Sequence, residues 1–161
     1  APILRRQCCW GDQTYKFAGQ SSHLRGPLSK APTLVQMTLQ HATDVVAPAL
    51  NFDPKLISLA HCNYYNGGCA ALLLHQDDEV CAGRPIISYT FLCGGPDYRY
   101  FVITKDKKGT NKLAALPLGN GDVLAMHGEL FQKNLWHGVP RTSRKDFLHQ
   151  QRINITLRLW G

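Results

Sequence analysis

The chain has 161 residues, of which 44% are hydrophobic and 18% charged, with a formal charge of +7 at pH 7. This composition fits one globular domain with a real core and argues against disorder. No apolar run approaches the ~20 residues of a spanning helix, which excludes a helical membrane protein. The basic balance points instead to a polyanionic partner, nucleic acid before an acidic membrane surface.

Basic residues cluster at Arg5 and Arg6, from Lys105 to Lys112 and from Arg141 to Lys145. The six cysteines form no C-x-x-C pair and no disulfide-dense spacing, so a reduced, intracellular protein is expected, nuclear if eukaryotic. The start "APILRR" has neither Met nor an apolar signal region and reads as a trimmed chain rather than a secretory one.

In chain order, the first strong periodicity lies between Pro32 and Pro48, where Val35, Leu39, Ala42, Val46 and Ala49 step by three and four. That spacing predicts one amphipathic helix, the only one the sequence supports convincingly. From Leu56 onward the pattern changes to short β-rich runs: "LISLAHCNYY", "CAALLLH", "IISYTFL", "YRYFVIT", "LAALPL", "DVLAMH" and "RINITLRLW". With no repeat, low-complexity tract or linker, residues 1–161 read as a single domain, mainly β with a helical buttress: a sandwich or jelly roll. A monomer is expected.

The last run alternates most regularly. Ile153, Ile155, Leu157 and Leu159 take one face, and Arg152, Asn154, Thr156, Arg158 and Trp160 the other. Periodicity alone favours solvent for the polar face. The alternative is an inner face lining a wet cavity, where Arg, Asn, Thr and Arg would hold an anion.

"LLLHQDDEV", residues 72–80, runs from leucines straight into a histidine and three acids. It is either a strand ending in an acidic turn or a strand delivering ligands to a metal. At i and i+2 of an extended segment, His75 and Asp77 point to the same side while Gln76 faces away. A site needs a third ligand, and His137 in "NLWHGVP" is the best placed. Two imidazoles and one carboxylate make the facial triad of non-haem Fe(II) oxygenases, which leaves positions open for substrate and oxygen. H-x-D alone is a weak signal, since any of the seven histidines is more often packed or exposed than a ligand.

Taken in order, "NYYNGGCAALLLHQDDE", "WHGVP" and "RINITLR" resemble the AlkB family of Fe(II)- and 2-oxoglutarate-dependent dioxygenases, with its pattern N-x-Y, H-x-D, a distal H and R-x-N-x-T-x-R. The resemblance covers nearly the whole chain, and "LRRQCCWGDQTYKFAG" is similar to the segment preceding the helix in eukaryotic AlkB-type DNA repair demethylases. It implies a double-stranded β-helix, a cupin-like jelly roll. His75, Asp77 and His137 would be the iron ligands. Asn63 and Tyr65 would bond 2-oxoglutarate, Arg152 its distal carboxylate, and Asn154 and Arg158 the end nearer the iron. Phe17, with Tyr15 beside it, would stack on the target base, while Asp78 and Glu79 would face it.

The implied chemistry is oxidative dealkylation of bases such as 1-methyladenine and 3-methylcytosine in DNA or RNA. Fe(II), 2-oxoglutarate and O2 are consumed or used, and succinate, CO2 and formaldehyde released. A base must be flipped out or single-stranded to reach the metal. Tyr64 stands where many members carry Arg, Leu157 where the common form has Phe, and Ile3 and Leu4 make a poor base-displacing wedge. Two other classes share these features: a dioxygenase acting on protein side chains and a non-catalytic nucleic-acid reader of the same fold. One geometric demand is specific to this chain: at ~3.3 Å per residue, Arg152 and Arg158 lie about 20 Å apart along a strand, so both meet one small molecule only if their side chains converge.

Overall fold

The structure is a computed structural model describing residues 5–12, 16–17, 20–21, 24–77 and 83–160; for Lys16, Phe17, Gln20 and Ser21 it describes the backbone only. The chain begins with β1 (Arg5–Gly11) and the two-residue strands β2 (Lys16–Phe17) and β3 (Gln20–Ser21). A helical segment follows: α1 (Thr33–His41), a π turn (Ala42–Val46) and α2 (Ala47–Leu50). Then come β4 (Ile57–Asn66), β5 (Leu72–His75), β6 (Ile86–Cys93), β7 (Tyr98–Thr104), β8 (Lys112–Gly119) and β9 (Val123–Met126). The short helix α3 (Glu129–Asn134), β10 (Trp136–Val139) and β11 (Gln151–Leu159) complete it.

Two main antiparallel sheets result, one ordered β1-β4-β11-β6-β9 and the other β5-β10-β7-β8, with β2 and β3 forming a separate two-stranded ribbon; this is the jelly roll expected from the run of short strands. Pro117, which has no N–H for a ladder, lies in β8 at the edge of the smaller sheet, where its loss is tolerated. None of the described helices is long and apolar enough to cross a membrane.

The helix predicted between Pro32 and Pro48 is present but does not stop at Pro48. The π turn shifts the ladder, so the Ala47 N–H bonds the Ala42 carbonyl, and Pro48, which cannot donate, falls at the start of α2. The helix ends three residues later at Asn51, in the left-handed region at φ 54°. Its face of Val35, Ala42 and Val46 packs on Ile155, Leu157 and Leu159 of β11 and on Ile87 and Tyr89 of β6. Each such fully buried aliphatic side chain contributes about 1.5–3 kcal/mol.

That packing settles the two faces of β11. Its apolar face is the outer one, covered by the helix, and its polar face turns inward between the sheets, with Arg152, Asn154, Thr156 and Arg158 all buried. Solvent exposure of the polar face, the expectation from periodicity, is therefore corrected: an alternating strand reads the same whichever side the covering layer occupies. A second apolar layer between the sheets, including Tyr65, Ile86, Phe101, Leu118, Met126 and Val139, closes the space around the inward polar groups.

Candidate metal and cosubstrate site

Two histidines meet because their strands pair. β10 runs antiparallel to β5 with His137 opposite His75, and the ring centroids are 4.4 Å apart. Gly138 permits this approach, since a Cβ there would lie 2.6 Å from the Leu72 carbonyl oxygen. Asp77 follows β5 by two residues and turns its carboxylate onto both: Oδ2 is 3.0 Å from His137 Nε2 and Oδ1 is 3.9 Å from His75 Nε2. One ligand atom from each of the three can be chosen so that all lie within 4.8 Å of one another, the only such group of three or more found among the described residues.

The donor set suits a divalent metal in detail. The Nδ1 of His75 lies 2.9 Å from the Leu73 carbonyl oxygen, which only accepts, so Nδ1 carries the proton and Nε2 keeps its lone pair for a metal. Burial first, then the neighbouring His137, holds His75 down at about 4, leaving it neutral. Burial alone would raise the Asp77 carboxyl, but Arg158 and His137 hold it far below the ordinary carboxylate range. The His137 ring is fixed by stacking between Phe101 at 5.3 Å and Phe131 at 5.8 Å.

Sequence reasoning missed the support of Asp77. The backbone N–H of Asp77 donates to the carbonyl of Gln132 on α3 at 3.2 Å. The Gln132 amide, itself buried, accepts from Gly83 N–H at 2.6 Å and donates to the Arg84 carbonyl at 2.6 Å. α3 thus holds the chain on both sides of residues 78–82 and, five residues after Gln132, delivers His137. Gln76, expected to face away, does so and donates to the Lys133 carbonyl. A lone Gln in a short helix carries no periodic signal that would have found this.

The cavity beside the triad is lined on the larger sheet by His61, Asn63, Tyr65, Arg152, Asn154 and Arg158. Arg158 Nη2 donates to Asp77 Oδ1 at 3.0 Å, marking the metal end. Arg152 lies toward the other end, its guanidinium 4.9 Å from the centre of the Tyr65 ring and donating to Thr90 Oγ1 at 3.0 Å. Both guanidinium groups thus line the one cavity, Arg158 through its bond to Asp77 and Arg152 beside Tyr65. Thr90 and Ser88 of β6 are further lining-layer partners that the sequence did not single out.

Arg152 tests the fit of an anion. Burial lowers its pKa, against which the nearby Tyr65 hydroxyl acts. Yet Nε, Nη1 and the Tyr65 hydroxyl are buried with no hydrogen bond of normal geometry among the described residues, and no described carboxylate pairs with the guanidinium. An uncompensated buried charge costs several kcal/mol, so the site suits a carboxylate arriving from outside the chain.

Asn63 and Asn154 sit between these ends. Asn154 donates to Ser88 Oγ at 2.8 Å and to the Tyr89 carbonyl at 3.0 Å, while its oxygen accepts from Asn63 at 3.3 Å and from Thr156 at 3.1 Å. Asn63 in turn accepts from Arg5 Nη1 at 2.7 Å. The structure thus brings His75, Asp77, His137, Asn63, Tyr65, Arg152, Asn154 and Arg158 to one cavity. Tyr15, Asp78, Glu79 and the side chain of Phe17 lie outside the described residues.

Residues 4–158 match the profile of the 2OG-Fe(II) oxygenase superfamily. The chain belongs to that superfamily. Its members use Fe(II), 2-oxoglutarate and O2, and His75, Asp77 and His137 form a possible iron site for this one. The oxygenase fold is similar to that of a Pseudomonas putida prolyl-4-hydroxylase in its crystal structure, with a TM-score of 0.50 and 13% identity over 100% of this chain and 76% of that one. No curated protein matches the oxygenase chain by sequence.

Proposed function

We propose that this oxygenase demethylates N-alkylated bases such as 1-methyladenine and 3-methylcytosine in DNA or RNA. The observation that carries this reading is the positive charge on the sheet that carries the site. Lys105, Lys107 and Lys108 are exposed in the turn between β7 and β8, at the start of β10, and Lys107 Nζ lies 5.6 Å from the centre of the Trp136 ring, on the face of β10 opposite His137. A polyanionic backbone held along that outer edge of the sheet would leave an unstacked base to turn inward to the triad.

When bound, Fe(II) with 2-oxoglutarate and O2 supplies the oxidation that yields succinate and CO2 and turns an N-methyl group into formaldehyde. His75, Asp77 and His137 hold the metal. Arg152 binds the distal carboxylate, its fork suited to bidentate contact, with the Tyr65 hydroxyl and Asn63 as further partners. Asn154 and Arg158 support the metal end. On the sequence resemblance, Tyr15, Phe17, Asp78 and Glu79 contact the base.

A second reading, oxygenation of a protein side chain, draws support from the fold shared with a prolyl-4-hydroxylase. The experiment that separates them is formaldehyde release from DNA and RNA oligonucleotides carrying 1-methyladenine or 3-methylcytosine, with iron and 2-oxoglutarate, at several salt concentrations. Release that weakens steeply with salt is expected. Succinate formation without formaldehyde from any oligonucleotide would transfer the case to a protein substrate.

A further inference from the structure

On the outer face of the larger sheet, Cys8 of β1 and Cys62 of β4 are register partners. Opposed residues of antiparallel strands have Cα atoms about 4.5–5.5 Å apart, inside the ~4.4–6.8 Å a disulfide spans. The two sulfurs can therefore join with little movement of the backbone. Both residues are half-buried and neither is in a disulfide. They line one surface groove, together with Arg6, Arg25, Tyr64 and Ile153.

The pair is chemically asymmetric. A hydrogen bond from Cys62 lowers the Cys8 thiol below its ordinary value, against burial and with help from the Arg25 charge, favouring its thiolate. The same bond, with burial, pushes Cys62 up, so it stays protonated as the donor. One sulfur is a nucleophile and its neighbour a thiol ready to resolve the product.

We propose that Cys8 and Cys62 form a peroxide-oxidisable dithiol that closes to a cross-strand disulfide. The Cys8 thiolate attacks one oxygen of hydrogen peroxide; the O–O bond breaks, and the departing hydroxide takes a proton to become water. Cys8 is then a sulfenic acid. The Cys62 sulfur attacks Cys8 sulfur, the S–S bond forms as the S–O bond breaks, and the leaving hydroxide takes the Cys62 proton. Two thiols lose two electrons in all, and one peroxide becomes two waters. The closed bond ties β1 to β4 next to Asn63, which already accepts from Arg5 of β1.

The test treats the reduced 161-residue chain with hydrogen peroxide, a chelator keeping iron from reacting, then alkylates it and maps cysteine linkages by mass spectrometry. A Cys8–Cys62 link with loss of two hydrogens, reversed by dithiothreitol, is the expected result. In Cys62→Ser the link should vanish and Cys8 should become trappable as sulfenic acid. The proposal is overturned if Cys8 and Cys62 both remain alkylatable, or if peroxide links either of them to Cys9, Cys69, Cys81 or Cys93 instead. Should Cys62→Ser fail to fold, the wild-type map decides alone.

Discussion

Arg158 donates to Asp77 from the opposite sheet, over 3.0 Å, with 6% and 1% of the two side chains exposed. The last basic residue of "RINITLR" thus holds the carboxylate of "HQD", 81 positions earlier. Both charges are desolvated, so each depends on the other. Arg158→Ala leaves Asp77 with the two histidines as its remaining partners, and should destabilise the metal-free chain by about 3–5 kcal/mol, measured by urea unfolding. A loss under about 1 kcal/mol, as for an exposed pair, would mean that water already solvates the carboxylate.

His137 supplies one of three donors and is held by aromatic stacking rather than by a bond at Nδ1. His137→Ala should abolish iron-dependent succinate formation while circular dichroism stays that of a folded β protein. Succinate at the wild-type rate would remove His137 from the metal.

Arg152 should act on cosubstrate binding and little on the metal. Charged hydrogen bonds contribute about 1.5–3 kcal/mol, so Arg152→Ala should raise the KM for 2-oxoglutarate about 10- to 100-fold. Arg152→Lys keeps the charge but loses the planar fork above Tyr65 and should recover only part of that. An unchanged KM in Arg152→Ala would place the anchor elsewhere in the cavity.

These residues were legible to different degrees for physical reasons. H-x-D, the distal histidine and the arginine pair use chemistry that few other residue types provide, and they keep order along the chain. The alternation of β11 was equally plain, but the side facing the cavity depends on where the helix packs, which periodicity does not contain. β1, with "RRQCCWG", has no clean alternation, and α3 is too short to show a period. Ser88, Thr90 and Gln132 are ordinary polar residues locally; only the register of β6 against β11 and the path of α3 bring them to the site. The continuation through Pro48 was hidden because a π turn is a local compromise between a missing donor and helix packing.

Gln132 offers a test of that hidden layer. Its backbone carbonyl accepts from Asp77 N–H and its side-chain amide ties Gly83 and Arg84 to α3, while Gln132 itself does not line the cavity. Outer supports of metal ligands typically change metal affinity about 10- to 100-fold; Gln132→Ala keeps the carbonyl that Asp77 N–H bonds but releases α3 from residues 83 and 84, and should weaken Co(II) binding toward that order, read from its visible absorption. Val35→Ala, a buried change under the helix, serves as the control for general destabilisation. Equal affinities in the two variants would reduce Gln132 to a packing residue.

The acid response should be set by two neutral histidines, His61 buried and His75 half-buried. Burial, aided by Arg158 and Arg5, holds His61 down at about 3, and burial with His137 holds His75 at about 4, from ordinary values of 6.5. Below pH 6.5 the unfolded chain takes up protons that the native chain refuses, so stability falls as pH falls. Each histidine adds a slope of about 1.4 kcal/mol per pH unit, ending near pH 4 for His75 and near pH 3 for His61. Asp77, held low by Arg158 and His137 against its burial, adds a further loss only once the pH drops below the ordinary carboxylate value of 3.8. The stability that these two histidines contribute to the metal-free chain should therefore be complete above pH 7 and fall from about pH 6.5 downward in the urea midpoint. His61→Gln should roughly halve the slope between pH 6.5 and 4; an unaltered slope would show that the His61 imidazole charges inside the fold as readily as in water.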